Sequence, residues 1–352
     1  MENDFKINPN EINPALSNRT YKKKSVLILF QILITVFFLY LTFSTSDFHG
    51  LTHIFSTINY KMLLFSLVAQ GTTFLILAAR EKYLLTKLHS FKFRDLLKGV
   101  FISYIGNNLL PFRAGEFLKI FYWKKISKKS YVSLFSIGLL ERIIDLTILV
   151  ILFLAGSEKI LAPLGVKTSY VLTVFALSIF PIAALVILDY KHNKTFSLNS
   201  KIKLILGETI TNYIEDTMNK LMMGLRVLGS LKNTLITIAL SILYWIANLI
   251  SLMFILFAFH LSFGISQSLI VLLATALGVA IPSAPGYIGT FDYFAKSALM
   301  LYGVNTSIAT SFAITAHFVT IVPYTLLILF FLYPTLSTIL KPNKNSEIYD
   351  NG

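Results

Sequence analysis

From Asn233 to Phe291 the chain carries no Lys, Arg, Asp or Glu, and from Ser297 to Leu340 it carries none again. A bilayer core requires about 20 predominantly apolar residues per helix. These two runs therefore hold more than two spans between them, and a soluble fold could not surface so much uncharged chain. Charged residues make up 14% of the 352 residues and hydrophobic ones 55%, against roughly 25% charged in an ordinary soluble domain. The sequence implies a polytopic integral membrane protein with no soluble catalytic domain.

The net charge of +14 would suggest nucleic acid in a soluble chain. Here the positive charge sits in short stretches between apolar runs, the footprint of positive-inside bias and anionic inner-leaflet lipid, so no nucleic-acid partner is expected. The absence of cysteine excludes disulfides, thiolate zinc sites and a cysteine nucleophile. Lys22, Lys23 and Lys24 precede an apolar stretch that is too long for a signal h-region and has no A-x-A site after it, so it is read as an uncleaved first span.

Apolar segments run roughly over 25–44, 62–79, 96–110, 131–155, 168–188, 234–259, 267–302 and 308–333. Lys and Arg cluster in 1–24, 80–98, 111–130 and 190–233, while 45–61 and 156–167 hold only Lys61, Lys159 and Lys167. A crossing at 96–110 would put two basic loops on opposite sides. That segment is also short and is interrupted by Gly106, Asn107, Asn108, Pro111 and Gly115. Segment 267–302 is too long for one span and is broken by Pro282, Pro285, Gly286 and Gly289.

The expected fold is thus an all-α helical bundle of about six full spans plus two re-entrant helical hairpins from opposite faces. Both termini are expected in the cytoplasm, at the cell (inner) membrane. Two Gly/Pro-broken segments, one in each half, suggest an inverted repeat with a transport site between the halves, although no residue-level similarity between the halves is evident. A cytoplasmic N-terminal tail covers 1–24, the membrane domain 25–335 and a cytoplasmic C-terminal tail 336–352. Within 190–233, Leu206, Ile210, Tyr213, Ile214, Met218, Leu221, Leu225 and Leu228 recur at helical spacing, predicting an amphipathic cytoplasmic helix packed on the bundle.

Few charges fall inside the apolar segments: Arg113 and Glu116, then Glu141, Arg142 and Asp145, then Asp292 and Lys296. A charge near the bilayer centre costs at least about 2.5–3.5 kcal/mol, which makes such residues functional candidates. Glu141 and Asp145 share a helix face roughly 15 Å deep, with Arg142 about a quarter-turn away. Arg113, Glu116, Glu141, Arg142 and Asp145, with Asn108, are expected to line a polar cavity open to the inner leaflet that holds a lipid phosphate. Arginine binds phosphate through two parallel hydrogen bonds and stays charged when desolvated, and a broken helix offers free backbone N–H groups. The competing reading is a structural ion-pair network. Asp292 and Lys296, one turn apart, are suited to pair with each other. Together with His317, read as a helix-packing hydrogen-bond partner, they form a secondary set. Tyr104, Tyr244, Trp245 and Tyr287 are read as packing or interface residues.

Three motifs then stand out: G-N-N-L-L-P-F-R-A-G-E at 106–116, E-R-I-I-D at 141–145 and P-S-A-P-G-Y-I-G-T-F-D at 282–292. In order and spacing they resemble the lysylphosphatidylglycerol synthase transmembrane region family, which includes the flippase domain of the bacterial multiple peptide resistance factors. The resemblance covers about residues 20 to 335. It implies a helical bundle with two re-entrant elements and lipid translocation between leaflets. Asn108, Pro111, Arg113, Gly115, Glu116, Glu141, Arg142, Asp145, Pro282, Pro285, Gly286 and Gly289 match its pattern. Asp292 stands where the family usually has Glu, and His317 where it often has Arg, so headgroup preference is expected to differ. The soluble aminoacyl-transfer domain of the resistance factors has no counterpart in the sequence to Gly352, and no synthase activity is expected.

The expectation is therefore a flippase-like protein that moves an anionic phospholipid or a polyprenyl-phosphate-linked lipid and needs no cofactor or metal. A membrane-embedded glycosyl or lipid transferase is the alternative, against which stands the lack of D-x-D, G-x-G-x-x-G, P-loop and H-E-x-x-H motifs. A scaffold for a separate lipid-modifying enzyme is the third reading.

Overall fold

The computed structural model describes residues 14–45, 48–156, 207–225 and 231–340, with isolated positions between 157 and 206. Every regular element among the described residues is helical. In chain order they are α1 (Pro14–Phe43), α2 (Phe48–Thr57), α3 (Tyr60–Leu85), α4 (Phe93–Leu109), α5 (Gly115–Ser127), α6 (Tyr131–Gly156), α7 (Glu208–Leu225), α8 (Leu231–Ala258), α9 (Ile265–Ala280), α10 (Thr290–Met300) and α11 (Thr306–Leu340). Among the described residues, Tyr60–Leu85, Leu231–Ala258 and Thr306–Tyr333 are long and apolar enough to cross a membrane, and Ile28–Phe43 and Ile265–Ala280 are shorter apolar helices. α6 is as long as α3 but carries Glu141, Arg142 and Asp145 in its middle. The expected segment 168–188 lies outside the described residues.

α3 begins at Asn59, whose side chain caps the backbone N–H of Lys61 at 3.2 Å, satisfying an amide that the first turn leaves open. The helix does not stop at residue 79, as the apolar pattern suggested, but continues to Leu85 and carries Arg80 and Glu81 into the bundle. α3 and α8 lie against each other along their lengths. Small polar side chains allow this close approach: buried Ser66 and Ser251 share a hydrogen bond of 2.9 Å.

Two apolar cores result. One joins α3, α4, α5, α6 and the end of α11 around the fully buried Trp123, Leu134 and Ile137. The other joins α2, α8, α9, α10 and the start of α11 around Ile255, Leu299 and Phe312. Trp245 packs against both.

Segment 267–302 is two helices, α9 and α10, and segment 96–110 is α4, followed by α5. In each case the second helix packs back on the first. A Cβ placed on Gly106 would lie 2.5 Å from the Cα of Gly115, and one on Gly278 would lie 2.7 Å from the carbonyl of Thr290. The connection is built alike both times. A single 3-10 turn starts at a proline (Pro111–Arg113, Pro285–Tyr287). Its third residue has positive φ, 53° at Arg113 and 61° at Tyr287, a conformation uncommon for a long side chain. A glycine four residues after the proline, Gly115 or Gly289, then precedes or opens the second arm. This shared construction is a likeness between the two breaks: in sequence it is no more than a common P-x-x-x-G at 111–115 and 285–289, and the matching backbone completes it.

The two 3-10 turns touch each other, and α1 grips the second one. Gln31 Nε2 donates to the carbonyl of Ser283 at 3.1 Å, and the N–H of Ala284 donates to Thr35 Oγ1 at 2.9 Å. α7 departs from expectation in one respect. It packs on α6, with Ser133 Oγ donating to the carbonyl of Lys220 at 2.9 Å, yet Ile210, Tyr213 and Met218 of its apolar face point outward. This face is available to the lipid interface rather than to the bundle.

Candidate functional site

α3, α5 and α6 bring their charged residues to one place, a cavity of about 370 Å³ beside the two breaks. Arg80, Arg113, Lys119 and Arg142 line it against Glu81, Glu116, Glu141 and Asp145, four charges of each sign. The positions arise from helix geometry. Glu141 and Asp145, four apart on α6, face α3, and Glu116 and Lys119, three apart at the start of α5, face α6.

Arg80 is the hinge of the network and is only 1% exposed. It bridges Glu141 and Asp145, with Nη1 2.6 Å from Asp145 Oδ1, and also donates to Ser241 Oγ at 3.1 Å. Lys119 Nζ reaches three carboxylates: Glu81 at 2.8 Å, Glu141 at 3.0 Å and Glu116 at 3.2 Å. Arg142 pairs with Glu116 and lies 3.9 Å from Asp145. Burying each of these ions alone would cost several kcal/mol, and mutual pairing is what offsets it. Tyr244 adds a ring beneath Arg80, 5.7 Å from guanidinium carbon to centroid.

Arg113 differs from the other cations. Among the described residues it has no carboxylate within ion-pair distance, and it sits over the ring of Tyr287 at 6.0 Å. Its positive φ places it at the tip of the first break, where the second break supplies the aromatic face. Asn107 Oδ1 accepts the N–H of Gly115 at 3.0 Å and so caps α5. Asn108, buried, donates to Thr325 Oγ1 at 3.3 Å.

Of the expected site residues, Arg113, Glu116, Glu141, Arg142, Asp145 and Asn108 all line this cavity. Arg80, Glu81 and Lys119 line it as well. Arg80 and Lys119, counted with the basic loops in the sequence, are instead buried, as is Glu81 beside Arg80. Tyr104, Tyr244, Trp245 and Tyr287, read as packing residues, are also part of the lining. The pairing expected between Asp292 and Lys296 does not form. Lys296 donates to the carbonyl of Thr42 and, at 3.0 Å, to Thr45 Oγ1, while Asp292 binds His317 at 2.8 Å. Lys296 and Asp292 face different neighbours although they share a helix.

Pro285, Gly286, Asp292 and His317 lie on a second, more open groove of about 500 Å³, together with Leu39, Phe43, Leu109, Ile288, Phe318 and Leu326. Its walls are apolar, and its polar groups come from the breaks and the helices beside them. Among the described residues no group of three or more His, Asp or Glu side chains is placed to hold a metal.

A polar, charge-balanced cavity enclosed by apolar helices defines the class: a helical membrane protein with an internal ionic site. Residues 28–328 match the family described as lysylphosphatidylglycerol synthase TM region, and the chain belongs to that family. Its function accordingly lies with membrane lipids. Among curated proteins and solved structures, none matches the chain.

Proposed function

We propose that the protein moves an anionic phospholipid, or a lipid carried on a polyprenyl phosphate, between the leaflets of the cell membrane. The observation that carries this reading is Arg113. Arg80, Lys119 and Arg142 are engaged with carboxylates, whereas Arg113 stands at a helix break over Tyr287 with no carboxylate partner among the described residues, and its guanidinium is suited to bind a phosphate with two parallel hydrogen bonds. The surrounding network of Arg80, Lys119 and Arg142 with four carboxylates keeps the site polar, and Arg113 is the cation that brings the lining to charge balance. The apolar groove across the breaks is suited to acyl or prenyl chains, which remain in a lipid-like environment while the headgroup is inside.

In this reading the α4–α5 and α9–α10 hairpins are re-entrant from opposite faces, with about six full spans around them and both termini cytoplasmic. The protein acts as a transporter rather than an enzyme, and an enzyme that makes or modifies the lipid is its natural partner. Irregular backbone at membrane depth is tolerated where it lines such a cavity.

The test uses proteoliposomes containing a trace of fluorescent phosphatidylglycerol, with an impermeant quencher reporting outer-leaflet probe. Wild type is expected to speed translocation. Arg113→Gln should slow it about tenfold or more, the equivalent of about 1.4 kcal/mol. Equal rates from two equally monodisperse proteins would remove Arg113, and with it the headgroup site.

A further inference from the structure

A second buried polar couple lies outside the ionic network. His317 on α11 has Nδ1 2.8 Å from Asp292 Oδ1 and Nε2 2.7 Å from the carbonyl oxygen of Gly286. The other oxygen of Asp292 accepts the N–H of Gly289 at 2.9 Å. The imidazole packs against the ring of Phe291 at 4.9 Å, and all three partners, His317, Asp292 and Gly286, border the open groove.

Both ring nitrogens therefore face oxygen. A carbonyl oxygen only accepts, so the contact at Gly286 requires a proton on Nε2. The contact at Asp292 requires a second proton, on Nδ1 or on the carboxyl. The arrangement holds one proton more than a neutral imidazole beside a carboxylate. When that proton leaves, one nitrogen must present a lone pair to an oxygen. The bond to the charged carboxylate is the stronger of the two, so the contact with Gly286 is the one given up.

We propose that His317, Asp292 and the Gly286 carbonyl form a proton-binding site that holds the second break closed when occupied and releases it when the proton departs. Tyr287 has φ 61°, a conformation that a residue with a side chain keeps only where its surroundings hold it, so the tether at the adjoining Gly286 carbonyl secures the turn. Tyr287 carries the effect across the breaks, because its ring lies under Arg113.

The charged and titratable groups facing the couple come from each neighbouring element. α10 gives Asp292, with Lys296 one turn on and directed to the Thr42 carbonyl. The second break gives Tyr287, with Arg113 of the first break beyond it. α4 gives Tyr104, whose hydroxyl donates to the carbonyl of Thr320 at 2.6 Å. α1 presents the uncharged Gln31 and Thr35, and α2 carries an exposed His53. α3 and α8 meet α11 through apolar side chains and Tyr324, whose hydroxyl donates to the Leu67 carbonyl.

The chain has no cysteine, so single thiols report cleanly. Ile288→Cys places one at the exposed edge of the second break, and Leu110→Cys a reference at the first. The readout is the ratio of their maleimide labelling rates, and the His317 and Asp292 variants below, which keep both thiols, account for the titration of the thiols themselves. Between about pH 6 and about pH 8.5, a window that imidazoles commonly span, the ratio should rise at least about fivefold, the lower end of ordinary coupling. In the His317→Arg background, and separately in Asp292→Asn, it should stay flat. A flat ratio in the otherwise wild-type chain, or the same rise in both variants, would overturn the proposal. Labelling needs no lipid movement, so this test and the transport test fail independently.

Discussion

The first and second breaks share a backbone and differ in what that backbone holds. At the first, Glu116 meets Arg142 and Lys119, and beyond them Arg80, Glu81, Glu141 and Asp145 extend the network into α3 and α6. At the second, one Asp292 meets one His317, and the lone lysine nearby is directed to α1. The same helix–turn–glycine–helix device thus presents permanent charges in one half and an exchangeable proton in the other. Geometry is repeated while chemistry is not, which is what a site asked to treat its two sides differently would need.

The largest effect that could break this comparison lies in the glycines. A Cβ on Gly115 would sit 1.9 Å from the Ser103 carbonyl, so Gly115→Ala must part the arms of the first hairpin. We expect loss of the monodisperse peak in size-exclusion chromatography. Gly289→Ala meets the Thr35 carbonyl at 2.8 Å with φ at 85°. With ψ at −53° this backbone lies outside the left-handed α region, and holding a side chain in such a conformation costs about 1–3 kcal/mol, so this variant should fold but melt earlier. If the first variant proves as stable as wild type, the hairpins are not built as described.

Next in size is the contrast in charge. Arg80→Met leaves Glu141 and Asp145 short of a partner and should cost about 3–5 kcal/mol, read as a lowered Tm in detergent. Lys296→Met removes a cation whose contacts include the Thr42 carbonyl and Thr45 Oγ1 and should cost less than Arg80→Met, about 1 kcal/mol for each hydrogen bond lost. Equal losses would show that the second half also depends on a charge network. The smallest effect should come from Asn108→Ala, which removes the bond to Thr325. Hydrogen bonds between membrane helices average about 0.6 kcal/mol, so little change in Tm is expected, and a large one would reveal a role for Asn108 beyond this bond.

Much of this was legible in the sequence, because a bilayer leaves few options for uncharged runs. The charge-free stretches gave the apolar helices, and the Pro/Gly interruptions gave both breaks. Glu116, Glu141, Arg142 and Asp145 were conspicuous as charges inside apolar chain. Arg80 and Glu81 were not, because they stand at the end of one apolar run where a basic loop begins. Counting charges by segment assigns them to the loop, whereas the helix runs on to Leu85 and keeps both side chains buried in the bundle. A signal was present in Lys119, three residues after Glu116 and on the same helical face. The kinship of the breaks was easy to miss because only a P-x-x-x-G spacing carries it in sequence, while the rest resides in φ at Arg113 and Tyr287.

The hold of α1 on the second break has a consequence for biogenesis. Gln31 reaches Ser283 across 252 positions of chain, and Lys296 reaches Thr42 across 254. At ribosomal speeds of about 5–20 residues per second, the first helix waits on the order of tens of seconds for its partners to be made. Until then the Gln31 amide and the Thr35 hydroxyl lack the second-break partners they hold in the finished fold. Assembly of this protein therefore closes late, when the second break and α10 return to α1, a helix made 252 to 254 residues earlier.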